Sequence, residues 1–352
     1  IMNELLDESG ASRQQKTFSA CADVDRFDER KWIDTVVTAT GVDAHYIYPA
    51  LDGLFAESAD ITWYQDEPFG STSIYAQWSV FRLAAQQGVK VMLDGQGADE
   101  QLAGYHLFFG PCLLQLLRTG QFKALLAELT AMKRLHGYSY SKLFEFMAYF
   151  ALPENVKNLL VFASGRPSVE NPSWLDCKKL GCSPKNPHLG IGYSMAASIK
   201  ELSIAQLTTS NLPMLLHWED RDSMAHSIES RVPFLDYRLI EFVAGLPDRF
   251  KLSDGMTKRV MREGMTGIIP DMIRNRVDKL GFVTPEEVWL KSNAESFKCQ
   301  LITSIERSGG IIRPSALGLF DDIVTARRPF SFVIWRLLNF GEWLSRFSVN
   351  VG

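Results

Sequence analysis

Three stretches of this 352-residue chain place charged side chains beside backbone turns in ways that suit chemistry on a phosphate or a carboxylate. The first is residues 89–105, VKVMLDGQGADEQLAGY. An apolar run leads into Asp94-Gly95-Gln96-Gly97, and Ala98-Asp99-Glu100 follow at a helix start. Glycine lets backbone N–H groups approach a ligand closely. A helix start adds unpaired donors and the positive end of its dipole. Two acids beside a phosphate are unfavourable by themselves, since like charges ~4 Å apart cost about 4 kcal/mol at an effective dielectric of ~20. A bridging Mg²⁺ reverses that sign and makes Asp99 a candidate metal ligand. A plainer reading has Asp99 and Glu100 only complementing the helix dipole, and a lone GxG does not decide between the two.

The second stretch, residues 217–236, reads HWEDRDSMAHSIESRVPFLD. It sets Arg221 and Arg231 among Glu219, Asp220, Asp222, Glu229 and Asp236. An amino-acid substrate needs a cation for its carboxylate and an acid for its ammonium. Arg221, Glu229 and Arg231 are therefore candidate substrate contacts. An internal ion-pair network joining two substructures fits the same residues. The third stretch, residues 255–282, carries Lys258, Arg259, Arg262, Arg274, Arg276 and Lys279, interrupted by Glu263, Asp271 and Asp278. Lys258 and Arg262 are four apart and share a helix face. These cations either form a solvated patch or face an anionic ligand.

The elements that must hold these residues are legible in outline. Lys16 to Cys21 reads as a strand, and an apolar-periodic helix from Asp28 ends at Gly41. Ala44 to Tyr48 is a second strand, with a helix to about Trp63. Ser71, Thr72 or Ser73 caps a further helix to Gly88, and Val89 to Leu93 is a buried-type strand. The order β-α-β-α-α-β predicts an α/β fold with a doubly wound parallel sheet. Ligands of such sheets bind at the carboxyl ends of the strands, where the Asp94–Gly97 turn must lie. From about Pro111 strand signals largely stop. The expected division is 1–110 as the nucleotide-binding part, 111–203 as a helical insertion and 204–352 as a helical part completing the site. Ser164 to Pro187, rich in Pro, Ser, Cys and Lys, is the best candidate for a mobile or surface segment.

Composition excludes several classes. Hydrophobic residues make up 46% and charged residues 22%, with a net charge of -4, which fits a folded globular protein and gives no reason to expect nucleic acid as the partner. Cys21, Cys112, Cys177, Cys182 and Cys299 form no zinc pattern and read as reduced thiols of a cytosolic protein. No apolar run reaches the length of a membrane span, and none of these residues is expected to be a signal peptide. The chain starts at Ile1 inside a helix-like run that Gly10 stops, so it is expected to be a fragment of a longer one.

Residues 94–105 resemble the SG(D/E)G(A/S)DE-FGGY motif of asparagine synthetases, and residues 220–236 are strongly similar to the D-R-x-S-M-A-x-x-x-E-x-R-V-P-F-L-D signature of that family. Gln65-Asp66-Glu67-Pro68 and the closing Trp335-Arg336-Leu337-Leu338-Asn339 resemble it too, the latter as core packing. The likeness covers almost all of the chain and is weakest over about 111–203. It implies a PP-loop, adenine nucleotide hydrolase-like fold that uses ATP and Mg²⁺. It places Asp94, Gly95 and Gly97 at the pyrophosphate part of ATP and Asp99 on Mg²⁺. Relatives carry a Lys early in the third stretch and another in a K-x-x-F loop. These positions match Lys258 and Lys279, both reaching the phosphates, and the loop Lys stabilises charge during acyl transfer.

The implied reaction activates aspartate, or another carboxylate, as an acyl-adenylate with release of pyrophosphate. Ammonia from an N-terminal glutaminase domain, absent here, then gives the amide. The cytoplasm is the implied location, and a homodimer is left open. Many relatives have an acid with a general-base role where Gln96 stands. Gln96 cannot take a proton at neutral pH, so either another group serves or the attacking ammonia needs no strong base. Lactam-forming and sugar- or peptide-amidating relatives are the alternative within this chemistry, and a non-catalytic nucleotide-binding module is the alternative outside it. No S-G-G-x-D-S phosphate loop occurs, and its expected place is just upstream of Ile1. The 352 residues alone are therefore expected to be inactive and, through an exposed sheet edge, prone to aggregate.

Overall fold

A computed structural model describes residues 1–10, 14–153, 156, 172–181, 198–278, 281 and 283–351. After α1 (Met2–Glu8), the chain follows the expected alternation. β1 (Lys16–Ala20), α2 (Arg30–Thr40), β2 (Asp43–Ile47), α3 (Leu51–Gln65), α4 (Ser73–Gln86) and β3 (Val91–Leu93) succeed one another. α2 ends where Gly41 takes a left-handed φ of 64° and donates its N–H to the Val37 carbonyl, a backbone state that glycine adopts without steric cost. Thr72 precedes α4, but its side chain does not cap it. The hydroxyl instead donates to Glu286 Oε2 at 2.8 Å.

Among the described residues the strands do not join into one doubly wound sheet. β1 and β2 run parallel, with Lys16 opposite Asp43 and Ala20 opposite Ile47. β3 runs parallel to β4 (Glu229–Arg231), and β5 (Leu252–Ser253) pairs antiparallel with β6 (Met256–Thr257). The two parallel pairs share one apolar backing: Phe18 of β1 and Met92 of β3 both pack with Phe81 and Ala84 of α4 and with Ile228. A doubly wound sheet is covered on both faces. Here Val91 and Leu93 remain 41% and 51% exposed, which is the physical difference from the expected sheet.

Helices make up the rest. α5 (Ala98–Gln101) is a single turn, and α6 (Phe109–Arg118), α7 (Phe122–His136) and α8 (Tyr140–Ala151) enclose Phe109, Leu113, Met132, Leu143 and Phe150. α9 (Ile199–Thr208) starts with a capping box between Ser198 and Glu201 and is followed by α10 (Leu212–Ala225) and α11 (Tyr237–Gly245). Beyond β6 come α12 (Arg259–Gly264), α13 (Asp271–Arg274), α14 (Glu286–Ser292), α15 (Ala294–Arg307), α16 (Ser315–Val324) and α17 (Val333–Arg346). The largest apolar core lies where α3 meets α15 to α17 and holds Leu54, Ile61, Phe69, Phe297, Phe320 and Trp335. Trp335, Leu337, Leu338 and Asn339 are all buried there.

Most of Ser164 to Pro187 lies outside the described residues, as does Cys182. The part that is described is tied to the core: Asp176 donates its N–H to the Ile311 carbonyl at 2.7 Å. Cys21, Cys112, Cys177 and Cys299 are free thiols. Among the described residues no helix is long and apolar enough to cross a membrane.

Candidate active site

The site starts at the carboxyl end of β3. The Asp94 N–H continues the strand pairing by donating to the Arg231 carbonyl at 2.8 Å. The Asp94 carboxylate then accepts the Gln96 N–H at 2.8 Å, which closes the turn. Gly97 has a φ of 87°, and a Cβ there would overlap the Leu235 side chain. Gly95 has open space around it. The turn is held from behind by the V-P-F-L-D stretch. Leu235 sits against Gly97, and Gln101 Nε2 donates to the Phe234 carbonyl at 2.7 Å. Part of the second sequence motif therefore serves as the wall of the first. Glu100, though acidic, turns inward and accepts from the Tyr105 hydroxyl at 2.7 Å and from Asn211 at 2.6 Å.

Asp99 and Lys258 come together. Lys258 Nζ lies 2.8 Å from Asp99 Oδ1, with both side chains largely covered. Lys258 takes a left-handed φ of 55°, and its N–H donates to the Leu102 carbonyl at 3.1 Å. A non-glycine residue in that region costs on the order of 1 kcal/mol and persists only where its surroundings hold it. The pair packs flat on Gly104, where any Cβ would overlap both Asp99 and Lys258. A cavity of about 210 Å³ opens beside it, lined by Lys258, Arg262, Arg274 and Arg276. Of the six cations read from the sequence, four thus meet one space. Arg262 is held by the Thr257 and Arg274 carbonyls, at 2.7 and 2.5 Å. Arg259 instead pairs with Asp254 and Glu263.

Lys279 lies outside the described residues. The chain on either side of it is anchored. Arg276 bonds Glu29 at 2.7 Å and lies over the Trp32 ring. Downstream, Thr284 and Glu286 both contact the Thr72 hydroxyl. Burial pushes the Glu286 carboxyl up to about 7, against the pull of its Thr72 hydrogen bonds.

Buried acids sit behind the turn, which the sequence suggested only as members of an ion-pair network. Glu219, on α10, is 2% exposed. It accepts the Ser230 hydroxyl at 2.5 Å and the Gln77 side-chain amide at 3.5 Å, and it is raised to about 7 by burial and by the Asp94 charge. Burial raises Asp94 as well. Asp222, one turn along α10, is fully buried. Its Oδ1 accepts from Gln65 Nε2 at 2.8 Å, Oδ2 has no partner, and burial holds the carboxyl well above the carboxylate range. One signal was available: Glu219 and Asp222 are three apart and share a helix face.

The candidate substrate contacts are not gathered. Arg221 pairs with Asp66 at 3.0 Å, both well exposed. Glu229 and Arg231 are brought together, at 2.8 Å, but on the exposed face of β4. The Gln65–Pro68 loop is a structural junction. The Asp66 carbonyl accepts Trp343 Nε1 at 2.9 Å and the Gln65 carbonyl accepts from His217 at 3.1 Å.

Among the described residues no group of three or more acids, histidines or cysteines could hold a metal. Asp99 offers one carboxylate with Lys258 already beside it. Such a donor suits a Mg²⁺ that arrives with phosphate oxygens and keeps its own waters, not an ion caged by protein.

Known proteins bear on this arrangement. The asparagine synthase family model matches residues 2–345. Asparagine synthetase [glutamine-hydrolyzing] 1 of Bacillus subtilis is 26% identical over 342 residues, covering 94% of this chain and 52% of that protein. A putative asparagine synthetase [glutamine-hydrolyzing] of Mycobacterium bovis is 24% identical over 330 residues, covering 88% of this chain and 47% of that protein. Amidase chyE of Penicillium rubens is 25% identical over 299 residues, covering 75% and 43%. The chain spans about half the length of these curated relatives. A glycine turn backed by V-P-F-L-D, with a lysine–aspartate pair beside it, is therefore carried here by a chain that belongs to the asparagine synthase family.

Proposed function

We propose that these residues form the ATP-using part of an amide-forming synthetase. The observation that carries the reading is the Lys258–Asp99 pair, set on Gly104 beside a cavity with three arginines and next to the Asp94–Gly97 turn. A substrate carboxylate attacks the α-phosphorus of ATP, and the bond to pyrophosphate breaks. Lys258, helped by Lys279, neutralises the charge that gathers on the departing pyrophosphate. Asp99 would hold Mg²⁺, which when bound would supply further charge neutralisation. Asp94, Gly95 and Gly97 cradle the phosphates through the turn. The substrate is now a mixed anhydride with AMP, a good leaving group, and ammonia displaces AMP and loses a proton to give the amide. In this reading the two parallel strand pairs belong to one doubly wound sheet of the PP-loop type, since both lie against α4.

Aspartate is the substrate of first choice, with asparagine as product and ammonia delivered by a glutaminase part. The names of the synthetase relatives support this. The second reading keeps adenylation and changes the carboxylate or the amine. It is favoured by Gln96 and by the amidase-named relative. The test uses the protein that carries this chain, with ATP, Mg²⁺, aspartate and ammonium. Equal yields of pyrophosphate and asparagine support the first reading. Pyrophosphate without asparagine supports the second. ATP left intact with every carboxylate offered sinks both.

A further inference from the structure

We propose that Glu128 and His136 of α7 are positioning residues for Lys258, and that by clamping the Asp254–Gly255 turn they fix the backbone from which this lysine reaches Asp99 and the phosphates. The inference rests on the amide-forming reading and adds two residues to it. Three observations carry it.

The first is the strain around Lys258. Its φ of 55° is left-handed, and so is that of Asp254, at 54°. Asp254 opens the turn between β5 and β6, and Lys258 follows β6 directly. Side chains other than glycine keep such a backbone only where the surroundings impose it. On one side the Lys258 N–H donates to the Leu102 carbonyl at 3.1 Å. The other side is the turn itself, so a turn that shifts draws Lys258 away from Asp99.

The second is the grip on the turn. The Asp254 N–H donates to Glu128 Oε1 at 2.7 Å, and the Gly255 N–H donates to Glu128 Oε2 at 2.8 Å. One carboxylate takes two successive backbone donors, and its charge makes each bond stronger than a neutral one. His136, further along α7, places Nε2 2.8 Å from the Gly255 carbonyl. A carbonyl only accepts, so Nε2 carries the proton. Gly255 lies flat on the helix: its φ is 72°, and a Cβ there would fall 2.9 Å from the backbone of Ala131 and Met132.

The third is what α7 is fixed to. Leu129 and Met132 are buried, and Met132 shares its apolar core with Leu252 of β5. The His136 ring meets the His106 ring edge-on at 4.6 Å. His106 lines the cavity beside Lys258, and its Nδ1 lies 2.7 Å from the Tyr138 hydroxyl. One packed helix thus sets both the backbone of the lysine and a wall of the cavity. Glu128 and His136 act through the turn, not on the substrate.

The test measures carboxylate-dependent pyrophosphate formation by the protein that carries this chain. Glu128→Ala should lower kcat about 10–100-fold, the scale of a ~1 Å displacement at a catalytic group. KM for ATP should stay within about threefold, since Lys258 acts on charge that gathers in the transition state. Glu128→Gln, which keeps one acceptor oxygen, should fall between Glu128→Ala and wild type. His136→Phe keeps the ring and removes the donor. It should lose about tenfold or less but remain clearly below wild type, and it stands in should Glu128→Ala not fold. In the Lys258→Ala protein, adding Glu128→Ala should cost less than about twofold, because a residue that acts through Lys258 then has nothing to position. General damage to the fold would cost the same with or without Lys258. Wild-type kcat in both Glu128→Ala and His136→Phe, or the full extra loss in the Lys258→Ala protein, overturns the proposal.

A second measurement does not depend on turnover. Hydrogen exchange at the Asp254 and Gly255 amides should be at least about tenfold faster in Glu128→Ala than in wild type. Unchanged exchange overturns the inference alone. Faster exchange, with no pyrophosphate formed by wild type on any carboxylate, overturns the amide-forming reading and with it the role of the clamp.

Discussion

The helical core and the cleft at the ends of β3 and β4 bury side chains on opposite terms. Where α3 meets α15 to α17, Phe69, Phe297, Phe320 and Trp335 are almost completely covered. The main polar residue there, Asn339, is used at both ends: Oδ1 accepts the Phe69 N–H at 2.7 Å and Nδ2 donates to Thr62 at 2.9 Å. In the cleft, Glu219 and Asp222 are equally buried, and each is raised by burial and by the charge of a neighbouring acid. The lysine nearest the turn, Lys258, holds a strained backbone. A protein tends to relax such features unless they serve something, so the contrast sets a supporting core against the candidate site.

The comparison can be broken from the supporting side first. Trp335→Ala should cost about 3–5 kcal/mol of stability, as other large-to-small core changes do, with turnover per folded molecule unchanged. Denaturant unfolding and an active-fraction assay check both halves. Lost turnover in the folded fraction would mean that the core is no mere support.

Lys258→Ala should do the reverse. The rate of pyrophosphate formation should fall about 10²–10³-fold, the usual cost of one charge-stabilising group, while thermal unfolding moves by a few degrees. A melting collapse with a normal specific rate would make the Lys258–Asp99 pair structural.

Glu286 lies between the two regimes. Burial raises its carboxyl to about 7 from the ordinary 4.5, so the native state binds more protons than the unfolded chain between those values. The favourable contribution is complete below about pH 4.5 and is lost as pH rises through about 7. Glu286→Gln removes that loss and should stabilise the protein at pH 8 by up to roughly 3 kcal/mol. Unfolding temperatures of both proteins from pH 5 to 8 would show the gap widening with pH. A constant gap would contradict the burial account.

The smallest effect is expected at Arg221. Its pairing with Asp66 is exposed, and such pairs contribute about 0–1 kcal/mol. Arg221→Ala should leave both stability and the KM for the carboxylate nearly unchanged. A KM raised tenfold or more would return Arg221 to the substrate pocket that its sequence neighbourhood suggested.

What the sequence made legible was local. Gly41, Gly97 and the apolar runs around Phe18 and Met92 write their own backbone states and burial, and β1 to β3 lie within two residues of their expected bounds. Asp99 and Lys258 were picked out singly, and the structure joins them. The acids were not legible because their contacts are distant: Gln77 meets Glu219 across 142 positions, and Thr72, read as a helix cap, spends its hydroxyl on Glu286 across 214. The second motif meets the same limit. Residue type suggests a carboxylate partner, but only the fold says whether it is substrate or a neighbour, and Arg221 and Arg231 have the neighbours Asp66 and Glu229.

Adenylation is the centre of this account, and carboxylate-dependent exchange of labelled pyrophosphate into ATP tests it most directly. The protein carrying this chain should exchange only when a carboxylate substrate is present, with AMP and not ADP as the nucleotide product, and Lys258→Ala should lose the exchange. ADP formation, or exchange indifferent to both the carboxylate and Lys258, would contradict the account.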